Sequence, residues 1–257
     1  MAHTHELTFA GARLTKRYTS WHRNEHRREW AALKHIHSHA GDLVPEPIEA
    51  DLDAVPPAIV MTVVAGEPLG AKPTPDQIRA LTVAISTLWN IPHHDSAVID
   101  PWRDDLDFAR RLTEGPRPEA GITATAYDAA TAWWKSDDPE LLHSQPPTTV
   151  LGHRDANLAN YLWDGRCIRI VDFEDTRTSD PATELAILIE HLSARQLDPD
   201  TLCTHFNVDQ DRLRAARRLW AMFWLRLLLP GGPAARRNPP GTADEQARRL
   251  LQLLRRN

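Results

Sequence analysis

Lysine is scarce in this chain of 257 residues: Lys16, Lys34, Lys72 and Lys135 stand against twenty-six arginines. Chemistry that needs a lysine at a fixed place has four positions to choose from. Cysteine is scarcer still, and Cys167 and Cys203 supply neither a disulfide framework nor the paired spacing of a zinc site. No stretch of eighteen apolar residues offers a membrane span, and the opening MAHTHELTFAG lacks the basic region and apolar run of a secretory leader. A formal net charge of −5 brings no basic excess to draw nucleic acid or an anionic membrane. These absences lead us to expect a soluble cytoplasmic protein, a monomer or homodimer, with no nucleic-acid or membrane partner. The 42% apolar content is enough for a large core, either in one fold with two lobes or in two small domains.

The densest chemistry lies in the stretch from Val150 to Glu184, VLGHRDANLANYLWDGRCIRIVDFEDTRTSDPATE. It holds a His-Arg-Asp triplet, an Asn five residues after that Asp, a short hairpin, and then a second Asp followed by Phe. With Tyr161–Trp163 and Arg166–Val171 as strands, Asp164-Gly165 reads as a two-residue turn with both residues at positive φ. That register sets Trp163 opposite Arg166 and Asn160 near Arg169, so Asp172 emerges roughly 10 Å along the ladder from Asn160. A phosphoryl-transfer site needs a carboxylate to take the acceptor hydroxyl's proton and oxygen ligands for a metal on the phosphates. Asp155 suits the first role. Asn160 and Asp172 suit the second, with Mg²⁺ as the hard ion that takes carboxylate, amide and phosphate oxygens. His153 is expected to hold the loop backbone, since imidazole is a poor Mg²⁺ ligand. Arg154 is expected to position the loop or touch a phosphate. The simpler alternative, in which these residues cap turns and end a strand, must account for three spaced matches at once.

At these residues the chain resembles the aminoglycoside phosphotransferase and choline kinase superfamily, the small-molecule branch of the protein-kinase-like fold. The family's loop reads His-Gly-Asp-x-x-x-x-Asn, followed by a strand into Asp-(Phe/Trp/Tyr)-(Glu/Asp) and then Gly-Asp-Pro-x-x-Asp-Leu-Ala. Here the matching residues are His153-Arg154-Asp155, Asn160, Asp172-Phe173-Glu174, and Ser179-Asp180-Pro181-Ala182-Thr183-Glu184-Leu185-Ala186. The departures are Arg154 and Ser179 for Gly, and Glu184 for Asp. Only seven residues separate Asp172 from Asp180, too few for the activation segment of a protein kinase.

The resemblance implies an α+β bilobal fold, with a small, shortened N-terminal sheet lobe for nucleotide over residues 1–64. A mainly helical lobe, residues 65–257, would carry catalysis and acceptor binding. It implies Mg²⁺-dependent transfer of the γ-phosphoryl group of ATP or GTP to a hydroxyl of a small molecule. In such proteins a strand lysine contacts the α- and β-phosphates and pairs with a helix glutamate, and Lys16 fits that place. Helical spacing over Asn24–His39 gathers Trp30, Leu33, Ile36 and His37 on one face, where Glu29 is turned inward toward Lys16, with Glu25 as the fallback partner. The apolar run Ala58–Val64 reads as a buried strand. By resemblance its end is the hinge, where the backbone at Thr62–Val64 would hold adenine, with Met61 in front of the pocket. Only fifteen residues precede Lys16, with Gly11 their sole glycine, so the phosphate-covering clamp is expected to be minimal or missing. That shortness keeps a second reading open, a nucleotide-binding regulator without transferase activity.

The remainder reads as helices over Pro75–Trp89, Asp104–Leu112, Ala124–Lys135, Pro181–Leu192, Asp211–Leu229 and Ala243–Leu254. The stripe Trp220, Phe223, Trp224 and Leu227 suits a core more readily than a ligand platform. From Pro181 onward twelve arginines face eight acids. A polycationic acceptor calls for carboxylates on those helices, so we expect an acceptor with at most one or two positive charges. The alternative is that the arginines form a solvated outer face.

Overall fold

The computed structural model describes residues 5–93 and 99–255. An antiparallel sheet comes first. β1 (Glu6–Ala10) and β2 (Arg13–Arg17) form a hairpin that turns at Gly11, whose φ of +61° suits a residue without Cβ. Helix α1 (Glu25–His39) follows, then β3 (Pro47–Asp51) and β4 (Ala58–Thr62), in the sheet order β1-β2-β4-β3. β2 is therefore internal, with Lys16 paired to Leu7 on one side and Ile59 on the other. Helix α1 packs on β3 and β4, and its Ala32, Leu33 and Ile36 are buried.

The rest is mainly helical. β5 (Glu67–Pro68) leads into α2 (Pro75–Trp89), where Thr74 and Gln77 form a reciprocal capping box. Then come α3 (Leu106–Thr113), α4 (Gly121–Trp133) and α5 (Asp138–His143). Four short strands, β6 (Val150–Gly152), β7 (Tyr161–Trp163), β8 (Ile168–Ile170) and β9 (Arg177–Ser179), carry the motif-rich stretch. They pair as β5-β7-β8 and as β6-β9. The chain ends with α6 (Pro181–Glu190), α7 (Pro199–Cys203), α8 (Gln210–Leu228) and α9 (Thr242–Arg255). α6 is buried from Ala182 to Glu190 and lies along α8, which also packs on α3, α5 and α9. Among the described residues, no helix is long and apolar enough to cross a membrane.

The hairpin register differs from the expected one. Trp163 pairs with Ile168 and Tyr161 with Ile170, so the connection is the four residues 164–167. Of the expected turn pair, only Gly165 has positive φ. Asp164 explains the longer loop, because its carboxylate accepts from the Arg166 and Cys167 amides at 2.9 and 2.8 Å and from Arg169 at 2.5 Å. The shift matters for the site. It sets Asn160 opposite Val171, whose amide donates to the Asn160 carbonyl at 3.0 Å, and so brings Asp172 next to Asn160.

Candidate active site

Lys16 is the centre of one half of the site. Strand alternation turns it inward, where its ammonium meets Glu29 at 2.6 Å, Asp172 at 2.5 Å and Glu174 at 3.2 Å. Burial alone would lower the Lys16 pKa, but the three carboxylates outweigh it and hold the ammonium well above the ordinary lysine value. Glu29 comes from the inner face of α1 and also accepts from the Tyr18 hydroxyl. Glu25 turns away from Lys16 and binds Arg23 at 2.9 Å. Glu174 was not singled out from the sequence. Burial would raise its pKa, yet a 2.7 Å hydrogen bond from His5 and the Lys16 charge hold it at about 2. One ammonium amid three carboxylates leaves negative charge over. Oxygens of Glu29, Asp172 and Glu174 lie within 4.8 Å of one another, an all-oxygen donor set suited to a hard divalent cation.

The buried Lys16–Glu29 pair has a stability consequence. Lys16→Met should cost about 3–5 kcal/mol, because it strands the Glu29 charge in the core. Adding Glu29→Gln should return at least about half of that loss in urea unfolding. Strictly additive costs would show that the two side chains are not coupled.

The second half is the loop after β6. His153 donates its amide to Glu184 at 3.0 Å, and its ring bonds the Val171 carbonyl at 2.9 Å, tying the loop to the hairpin. Its ring also meets Phe173 edge-on. Glu184, near the start of α6, accepts the Arg154 amide at 3.3 Å as well. This brace explains Gly152, where a Cβ would sit 2.5 Å from the Glu184 carboxylate. Asp155 is held by the Asn160 side-chain amide at 3.1 Å. Burial pushes the Asp155 carboxyl above its usual range; His153 opposes this and Asp172 adds to it. The Asn160 NH₂ is spent on Asp155, donating to both its carboxylate and its backbone carbonyl at 3.1 Å.

Arg154 points away from this centre. It has a φ of +72°, the conformation a glycine takes freely, and for a residue with a Cβ this costs about 1–3 kcal/mol. Its guanidinium is buried, binding Asp105 at 2.6 Å and Ser179 at 3.2 Å over the face of Trp220. Asp105 also accepts from Arg177. Sequence reading missed Asp105, since its partners lie 49 and 72 residues further on and its only local sign is a position ahead of α3.

At the end of β4, Met61 is buried and faces Leu14. The Thr62 amide is spent on the Glu46 carbonyl and the Val63 amide on the Ala12 carbonyl. Thr62 is thereby removed as an amide partner for a base. Among the described residues no such bond is found for the Val64 amide, which remains able to serve.

Three comparisons bear on this arrangement. A family model described as "Phosphotransferase enzyme family" matches residues 12–220. Among solved structures, a choline/ethanolamine kinase family protein from Mesorhizobium loti is 20% identical, with a TM-score of 0.71 over 99% of this chain and 86% of that one. The choline kinase LicA from Streptococcus pneumoniae is 12% identical, with a TM-score of 0.66 over 99% and 90%. An ADP-bound aminoglycoside phosphotransferase, APH(2'')-Ib, is also 12% identical, with a TM-score of 0.65 over 98% and 90%. No curated protein sequence matches. The fold is therefore the kinase-like α+β fold of these proteins, with a small antiparallel sheet and a mainly helical remainder.

Proposed function

The chain belongs to the phosphotransferase enzyme family and is a small-molecule kinase, and we propose that it transfers the γ-phosphoryl group of ATP or GTP, with Mg²⁺, to a hydroxyl of a small molecule. One observation carries this reading. Lys16 and Asp172 stand 156 residues apart in sequence and meet at 2.5 Å, beside a loop that presents Asp155 and Asn160.

In this proposal residues 1–64 bind the nucleotide. Lys16, oriented by Glu29, contacts its phosphates, while Met61 and the Val64 backbone flank the base. Residues 65–257 supply catalysis and the acceptor site. Asn160 and Asp172 would hold the metal. Their oxygens fit it, and when bound it supplies charge neutralisation on the phosphates. Asp155 takes the proton of the acceptor hydroxyl as its oxygen bonds to the γ-phosphorus and the bond to the β-phosphate oxygen breaks. His153 and Glu184 keep the loop in place. The ADP-bound neighbour and the two choline-kinase-type neighbours support a nucleotide donor and a small hydroxyl acceptor.

The competing reading, a nucleotide-binding regulator without transfer, is separated by two measurements on the wild-type chain. Mg²⁺-nucleotide at about a hundred times its dissociation constant should stabilise the fold by about 2.7 kcal/mol. Addition of an acceptor should then raise ADP or GDP release. Stabilisation without acceptor-dependent release across a broad panel of hydroxylated metabolites and antibiotics would favour the regulator.

A further inference from the structure

Helix α6 is tied to the catalytic loop at two places. Near its start, Glu184 accepts the His153 and Arg154 amides, just ahead of Asp155. The second tie is at the far end of the loop, where one short helical turn, Leu158–Asn160, presents Asn160. Two of the three amides in that turn are satisfied locally, because Asn157 accepts from Ala159 through its side chain at 3.1 Å and from Asn160 through its carbonyl at 2.9 Å. The third, on Leu158, donates to the Ser193 hydroxyl at 2.9 Å, 35 residues further on. Ser193 lies just beyond the C-terminus of α6, which ends at His191. Glu184 and His191 are roughly 10 Å apart along the helix at about 1.5 Å per residue. One buried helix thus grips the loop on both sides of Asp155.

The Ser193 hydroxyl is itself oriented. His191 Nδ1 accepts from the Ser193 amide at 3.1 Å and lies 2.7 Å from the Ser193 Oγ. A ring nitrogen that accepts from an amide carries no proton, so the hydroxyl is the donor there and turns its lone pairs to the Leu158 amide. Burial and the Arg195 charge lower the His191 pKa to about 4, which keeps the ring in that neutral form. Trp224 of α8 meets the ring edge-on, 4.7 Å between centroids. Leu158 is buried, so loss of the hydroxyl would leave its amide unpaired. Resting on the phosphotransfer reading, we propose that Ser193, oriented by His191, is a positioning residue that fixes Asn160 relative to Asp155, so that α6 sets the span of the catalytic loop. Neither side chain touches a reacting group; both act through the Leu158 amide.

Amide hydrogen exchange in the ligand-free chain tests the tie directly. In Ser193→Ala the Leu158, Ala159 and Asn160 amides should exchange about tenfold faster, while the His153 and Arg154 amides, held by Glu184, keep their wild-type rates. Ser193→Thr retains the hydroxyl and should restore slow exchange. The functional counterpart is a weaker hold on the metal. In Ser193→Ala the calorimetric Mg²⁺ dissociation constant with nucleotide present should rise about threefold or more, and kcat should fall about tenfold and recover in part at high Mg²⁺. The nucleotide dissociation constant without Mg²⁺ should change less than about twofold. His191→Phe keeps a ring against Trp224 but removes Nδ1, and should give the same pattern at smaller size; it carries the test if Ser193→Ala fails to fold. Unchanged exchange at Leu158–Asn160 in both variants, faster exchange with unaltered Mg²⁺ constant and kcat, or a Ser193→Thr variant as impaired as Ser193→Ala would overturn the inference and leave the phosphotransfer reading standing. Failure of the wild-type chain to bind Mg²⁺-nucleotide would instead remove that reading, and this inference with it.

Discussion

Asp172→Ala is expected to remove Mg²⁺-dependent nucleotide turnover while the chain stays folded. The side chain is about a third exposed at the rim of the site, so truncation leaves no large cavity. It also strands no buried charge, because Lys16 keeps Glu29 at 2.6 Å and Glu174 at 3.2 Å. What is lost is an oxygen ligand at the point where charge on the transferring phosphoryl group must be neutralised. A metal ligand of this kind supports several kcal/mol of transition-state stabilisation, so turnover should fall by about a hundredfold or more. The melting temperature should fall by several degrees, because Asp172 has a φ of +69°, which Ala tolerates less well than Asp. Activity above a few per cent of wild type would place the metal elsewhere, with the Glu29 and Glu174 oxygens as the next candidates.

Local physics determined which parts of this site could be read from the sequence. The helices α2 and α8 were legible to within a residue, because a capped amphipathic pattern fifteen or more residues long constrains its own ends. The inward turn of Glu29 followed from helical spacing, the place of Lys16 came from the family resemblance, and the two side chains meet. The strands β6 and β9 went unread. Each is three residues long and pairs with a strand centred 27 residues away, so neither shows a periodic signal. The hairpin register failed for a different reason. Asp164-Gly165 carries the dipeptide signature of a tight turn, but the Asp164 carboxylate closes a four-residue loop instead. The Arg154–Asp105–Arg177 network and the His5–Glu174 bond were also invisible, since ion pairs across 49 to 169 residues leave no mark on spacing. Sequence placed the residues whose chemistry is local to the loop, and tertiary packing supplied the charges that surround them.

Asp155→Asn should behave differently from Asp172→Ala. Asn keeps the size and planarity of the carboxylate, and its carbonyl oxygen can still accept from the Asn160 amide that now bonds Asp155 at 3.1 Å. The loop should therefore hold its shape through His153 and Glu184, whose bonds to Val171 and to the loop amides do not involve Asp155. Nucleotide and metal binding should survive, because Lys16, Asp172 and the hinge backbone are untouched. The variant loses a group able to accept the hydroxyl proton, and burial makes that group a stronger base than a solvated carboxylate by raising its pKa. Loss of a positioned general base costs about 10²- to 10⁴-fold. The deficit should appear in kcat with acceptor present, while the nucleotide dissociation constant stays within about threefold. Calorimetric titration of Mg²⁺-nucleotide, run beside steady-state transfer, separates the two effects. A parallel loss of nucleotide binding would place Asp155 among the groups that hold the phosphates, and the proton would then need another acceptor in the loop.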